Sequence, residues 1–131
     1  MSIKKFVATL FLSATTLLIP LSSVFAASGW QYLGFDYFHK NSSGYYVSDV
    51  YTSDGGYFRI CAATGSSVIY RLYEYDPDNA DDYIGGVLLK NGQCHDFYVE
   101  NYRDGTNNKP ELYFNVGTYS LAGGDIYDWF C

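Results

Sequence analysis

The chain has 131 residues, of which 48% are hydrophobic and 20% aromatic, with 15 tyrosines and a formal net charge of −6. That acidic balance argues against nucleic-acid phosphates and anionic membrane surfaces as partners, since both repel it. Three cysteines without a C-x-x-C pair speak against a thioredoxin-type redox motif and against a zinc knuckle.

The N-terminus reads as a leader. Lys4 and Lys5 form a short positive region, Phe6 to Leu21 is an apolar run without an acid, and Val24-Phe25-Ala26 places small residues where a signal peptidase reads. A membrane anchor is the rival reading, but the run is short and Pro20 and Ser22-Ser23 interrupt it. The expected division is a secretory signal peptide over 1–26 and one domain over 27–131. The leader's small-residue, Ser/Thr-rich style is bacterial. The expected location is extracellular, with no stable membrane insertion. Losing Lys4 and Lys5 leaves six basic residues against 14 acids, so the exported domain carries a net charge of −8.

Beyond the leader no stretch sustains a helical period. Short aromatic and β-branched runs recur instead, separated by Gly, Asp, Asn and Ser. Trp30 to Phe38 predicts a first strand and Gly44 to Thr52 a second. Ser53-Asp54-Gly55-Gly56 is a turn with glycines available for positive φ. Tyr57 to Ala62 follows, with Phe58 and Ile60 opposing Tyr57, Arg59 and Cys61. Thr64 to Ser67 turns the chain into Val68 to Tyr75, where Val68, Tyr70 and Leu72 share one side. An acidic loop leads to Tyr83 to Leu89, weakened or bulged at Gly85-Gly86. Lys90 to Gln93 reads as a hairpin turn into Cys94 to Glu100. A polar loop, Asn101 to Pro110, precedes Glu111 to Tyr119, and Ile126 to Phe130 is a last strand after Gly123-Gly124. Seven to eight short strands with such turns predict an all-β fold, an antiparallel β-sandwich.

An oxidising compartment pairs two of the three cysteines. Cys61 and Cys94 lie in strand-like runs and Cys131 is the last residue, so Cys61–Cys94 is the expected disulfide. It is expected to join the two sheets. Cys131 is then left as a free or intermolecular thiol, and a disulfide-linked homodimer through it is expected.

Few catalytic patterns are available. His39 and His95 are the only histidines, and no H-E-x-x-H, G-x-S-x-G or Gly-rich phosphate loop is present. Cys94 and His95 are neighbours on a strand and point to opposite faces, so they cannot form a nucleophile–base pair. The expectation is a protein that is not an enzyme. Asp76, Asp78, Asp81 and Asp82 crowd one loop and suggest a weak calcium site, with Asp104 joining if its loop lies at the same end. Ala80, Asp81 and Val87 occupy places where the helix-flanked calcium motif needs an oxygen, Gly and Glu, so that motif is not matched. The bland alternative is a solvated turn, in which Pro, Asp and Asn serve the backbone. No other cofactor is suggested.

The tyrosine surplus is the remaining signal. Alternation forces some tyrosines onto a solvent face, and a rigid amphipathic ring suits contacts with sugars, peptides or proteins. Tyr45, Tyr51, Tyr73 and Tyr75 are the expected contact residues; cross-strand packing is the competing explanation. The leading functional expectation is a secreted, non-enzymatic binding protein for an extracellular glycan, cell wall or protein. Its competitor is a small secreted antagonist, either a bacteriocin-like toxin or a hydrolase inhibitor.

Overall fold

The computed structural model describes residues 29–105 and 107–130. The predicted leader over 1–26, and Cys131 with the dimer expected through it, lie outside the described residues. No α-helix occurs among them; a single 3-10 turn spans Glu100–Tyr102. No helix of the described residues is long and apolar enough to cross a membrane.

Ten strand segments make two packed antiparallel sheets. They are β1 (Gly29–Tyr37), β2 (His39–Lys40), β3 (Tyr46–Val47), β4 (Tyr51–Thr52), β5 (Tyr57–Thr64), β6 (Val68–Glu74), β7 (Asp82–Leu89), β8 (Cys94–Tyr98), β9 (Glu111–Asn115) and β10 (Ala122–Phe130). One sheet has the order β1-β10-β5-β8; the other runs β2-β3-β9-β6-β7, with β4 also on β9.

The expected sandwich and the Cys61–Cys94 disulfide are both present. Four details differ from expectation. The disulfide links paired neighbours, β5 and β8, within one sheet, so it does not join the two sheets. Gly44 to Thr52 is not one strand. Val47 pairs with Asn115 and Tyr51 with Leu112, while between them the Ser48 hydroxyl accepts a 2.8 Å hydrogen bond from the Phe114 amide. A side chain there replaces a rung of the ladder. Lys90 to Gln93 is not a hairpin turn, because β7 and β8 belong to different sheets. Finally, Gly123 and Gly124 lie inside β10. A Cβ on Gly124 would stand 2.6 Å from the Cys61 carbonyl oxygen, and one on Gly123 would strike that of Asp36. Those glycines permit close strand approach and do not end the strand. The weak point expected at Gly85-Gly86 lies one residue earlier: both glycines stay in register with Leu72 and Arg71, and the slip between Leu72 and Tyr73 leaves Ile84 as the extra residue.

The core follows the predicted alternation. Phe58, Ile60 and Ala62 of β5 face Tyr70 and Leu72 of β6 and Leu112, Phe114 and Val116 from the β9 segment. Phe114 is central, with ring centroids 5.9 Å from both Phe58 and Phe97 and 6.4 Å from Phe38. Tyr70 is buried whole, and its hydroxyl donates to the Gly123 carbonyl at 2.8 Å. Burial pushes that phenol up to about 12.

Candidate functional site

Since alternate strand residues point to opposite faces, each inward apolar residue of the four-stranded sheet implies an outward neighbour. On β5 these are Tyr57, Arg59 and Cys61; on β8, Cys94, Asp96 and Tyr98; on β10, Asp125, Tyr127 and Trp129; on β1, Trp30 and Tyr32. Register aligns them into rows across the sheet. Trp30 stands opposite Trp129, and Tyr57 opposite Tyr98. The next row runs Tyr32, Tyr127, Arg59, Asp96. A third carries Asp125 and the Cys61–Cys94 disulfide.

The rings in these rows touch. Centroids lie 5.3 Å apart for Trp30–Trp129, 5.1 Å for Tyr32–Tyr127 and 5.2 Å for Tyr57–Tyr98. Packing leaves much of them in solvent: Tyr32, Tyr57 and Tyr98 remain 56%, 47% and 49% exposed. Polar groups fix the rings. Arg59 lies 3.9 Å above the Trp30 ring and forks onto Asp96 through Nε at 2.6 Å and Nη2 at 3.0 Å. The Tyr32 hydroxyl donates to Asp125 at 2.6 Å, and that bond holds the phenol above its ordinary range.

Two hollows open along the first row and share Trp129. One, about 370 Å³, is lined by Trp30, Tyr57, Asp96 and Trp129. The other, about 600 Å³, lies between Trp129, Tyr98 and the Asp54-Gly55-Gly56 turn, with Glu100 and Arg103 on its far wall. Arg103 donates to Glu100 at 3.0 Å and to the Asp54 carbonyl, and Lys109 pairs with the Asp54 carboxylate at 3.0 Å. Gly55 has φ +92, and a Cβ there would collide with Arg103 and Glu100, so the turn needs glycine. Beneath the turn, buried Asp128 accepts from the Ser53 hydroxyl at 2.6 Å and from the Asp54 amide at 2.8 Å. Each basic side chain here has an acidic partner, Arg59 with Asp96, Arg103 with Glu100 and Lys109 with Asp54, and Asp125 adds a further carboxylate to an otherwise aromatic face.

The four tyrosines expected from sequence are not gathered there. Tyr45 is exposed on the β2–β3 turn, where its amide donates to Asn41. Tyr51 is half-buried against Phe58, with its hydroxyl on Asp36 at 2.5 Å. Burial, then that bond, holds its phenol far above its ordinary range. Tyr73 is the middle of a row, Tyr83–Tyr73–Tyr113, on the outer face of the other sheet. Tyr75 is exposed beside the acidic loop. No ring contact among the described residues joins any two of these four.

The acidic loop is knitted together by itself. Asp76 accepts from the Asp78 amide at 3.0 Å and from Asn79 at 3.3 Å. Asp81 accepts from the Asp76 amide at 3.0 Å and from the Tyr113 hydroxyl at 2.5 Å. Asp82 has become the first residue of β7, opposite Glu74. Asp104 does come to this end: a hollow of about 490 Å³ lies between Asp76, Asp78, Asn79, Asp104, Asn107 and Glu111. Among the described residues no three His, Cys, Asp or Glu side chains are grouped to hold a metal ion. His39 lies on the other sheet, 3.9 Å from Asp49, while His95 packs on Phe97.

One acid was passed over in the sequence. Glu74 continues the inward parity of Val68, Tyr70 and Leu72, so its burial was legible there. It is 1% exposed, and among the described residues Oε2 has no hydrogen-bond partner.

Comparison with known proteins places the chain in a family. The model described as "YndA coiled coil domain" matches residues 32–126, and the chain belongs to that family. The "Uncharacterized protein YndA" of Bacillus subtilis (strain 168) is 44% identical over 72 residues, which cover 52% of this chain and 54% of that protein. The chain thus matches about half the length of that relative. No solved structure matches. The family's description speaks of a coiled coil, whereas the described residues here form strands and one 3-10 turn.

Proposed function

We propose that this member of the YndA family is an exported, non-enzymatic binding protein whose aromatic sheet face takes up a glycan chain of the cell wall. The observation that carries this reading is the gathering of Trp30, Trp129, Tyr57, Tyr98, Tyr32 and Tyr127 on one outward face. Sugar rings present apolar C–H faces rimmed by hydroxyls. Indole and phenol rings complement both parts, and they lose little rotamer entropy on contact. Asp96, Asp125, Glu100 and Arg103 border the rings with hydrogen-bonding groups. Asp96 is paired with Arg59 and Glu100 with Arg103, and Asp125 accepts from the Tyr32 hydroxyl, so these groups are held in place to meet sugar hydroxyls.

The test is co-sedimentation with purified cell walls. Wild type is expected in the pellet, and the Tyr57→Ala/Tyr98→Ala double variant in the supernatant. Tyr45→Ala, away from the face, should pellet like wild type. Equal retention of all three proteins would remove the aromatic face from the reading. Growth inhibition of neighbouring species without wall retention would favour the antagonist instead.

A further inference from the structure

We propose that the outer face of the β2-β3-β9-β6-β7 sheet carries a separate site, at Arg71, for the free C-terminal carboxylate of a peptide whose last side chain is apolar. The register of these strands sets out its parts. Arg71 stands in a row that runs Gly86, Arg71, Asn115, Val47. On one side of it lies the ring row Tyr83, Tyr73, Tyr113. On the other lies the cross-strand pair Ile69 and Leu88, which stay 41% and 61% exposed. Glycine at position 86 lets the group close up. A Cβ there would stand 2.7 Å from the Tyr83 hydroxyl and 3.5 Å from both Arg71 Cγ and Ile69 Cγ2. The phenol end of Tyr83, the stem of Arg71 and a methyl of Ile69 thus converge over one bare backbone position.

The polar groups gathered there are donors. Arg59 and Arg103 pair with Asp96 and Glu100, but among the described residues no carboxylate lies within ion-pair distance of the Arg71 guanidinium. The Tyr83 hydroxyl likewise has no hydrogen-bond partner among the described residues. Asn115 accepts from the Gly117 amide through Oδ1 at 2.7 Å, which leaves its Nδ2 to donate. Asp81, beside the tyrosine row, already accepts from the Tyr113 hydroxyl and the Asp76 amide. A guanidinium fork flanked by a hydroxyl and an amide nitrogen matches the two oxygens of a carboxylate. Phosphate would suit the same donors, but a polymer of phosphates is repelled by a chain of net charge −6. A terminal carboxylate brings one charge only, and the Ile69–Leu88 pair gives the last side chain an apolar seat. The site lies on the other sheet from the aromatic face and does not depend on the glycan reading.

The experiment is an NMR titration of isotope-labelled protein with N-acetyl-alanyl-leucine, read on the side-chain N–H signals of Arg71 and Asn115. Both should shift, with a dissociation constant in the millimolar range that suits an exposed ion pair. The C-terminal amide of the same peptide should bind about tenfold more weakly. Arg71→Gln should weaken the acid by a similar factor, and Tyr83→Phe by about threefold. Gly86→Ala is the sharper variant. Gly86 is not at positive φ, so alanine there displaces chiefly the Tyr83 hydroxyl. Affinity should fall as in Tyr83→Phe, with no loss of melting temperature. Should Arg71→Gln fail to fold, Arg71→Lys keeps the charge, loses the fork and should still bind severalfold more weakly. Equal binding of acid and amide overturns the proposal, as does unaltered binding in the Arg71 variant or no shift at tens of millimolar peptide. So does inorganic phosphate acting at lower concentration than the peptide, because the site would then be one for phosphate. Tyr57→Ala/Tyr98→Ala should take the peptide like wild type, so this site and the wall-binding face fail separately.

Discussion

Replacing both Cys61 and Cys94 with serine tests how the aromatic face is anchored. Among the described residues β8 is an edge strand paired only with β5, and it carries Asp96 and Tyr98. The disulfide spans 33 residues of sequence, for which the chain-entropy relation gives about 3.7 kcal/mol. With a urea dependence of about 2 kcal/mol per molar, the urea midpoint should fall by roughly 2 M. Equilibrium unfolding followed by tryptophan fluorescence is a suitable assay, because Trp30 and Trp129 both report from this sheet. Native-state amide exchange on residues 94–98 should rise more than on β10, since β10 has neighbours on both sides. A loss below about 1 kcal/mol, with unchanged exchange in β8, would refute both the loop-closure argument and the anchoring role.

Two further tests address the core and the acidic loop. Phe114→Ala empties the point where Phe38, Phe58 and Phe97 meet and should cost about 3–5 kcal/mol in the same unfolding assay. A loss under about 1.5 kcal/mol there would mean the two sheets close over the gap. For the loop, Asp76 and Asp81 already accept hydrogen bonds from their own neighbourhood, so calcium is expected to bind weakly at best. With a millimolar dissociation constant, millimolar calcium adds only about 0.4 kcal/mol, so melts with calcium and with chelator should nearly coincide. A clear upward shift lost in an Asp76→Asn/Asp81→Asn variant would count against that expectation.

Alternation in YFRIC and VIYRLYE determined which side chains face the core, because strand side chains can point only two ways. The same parity places Tyr57 and Arg59 in solvent and Glu74 inside. Pairing of Cys61 with Cys94 was also legible, since both lie in strand-forming runs and form a facing pair. Which strands lie side by side was not. β5 pairs with β8 and β10, both far along the chain, and the turns after β5 and β7 change sheets without any residue type announcing it. Gly123-Gly124 reads as punctuation until neighbouring backbones show how little space a Cβ would have. The aromatic face belongs to the tertiary structure for the same reason. Its rings come in ones and twos from four separate segments, and local sequence carries no term for partners that long-range packing alone selects.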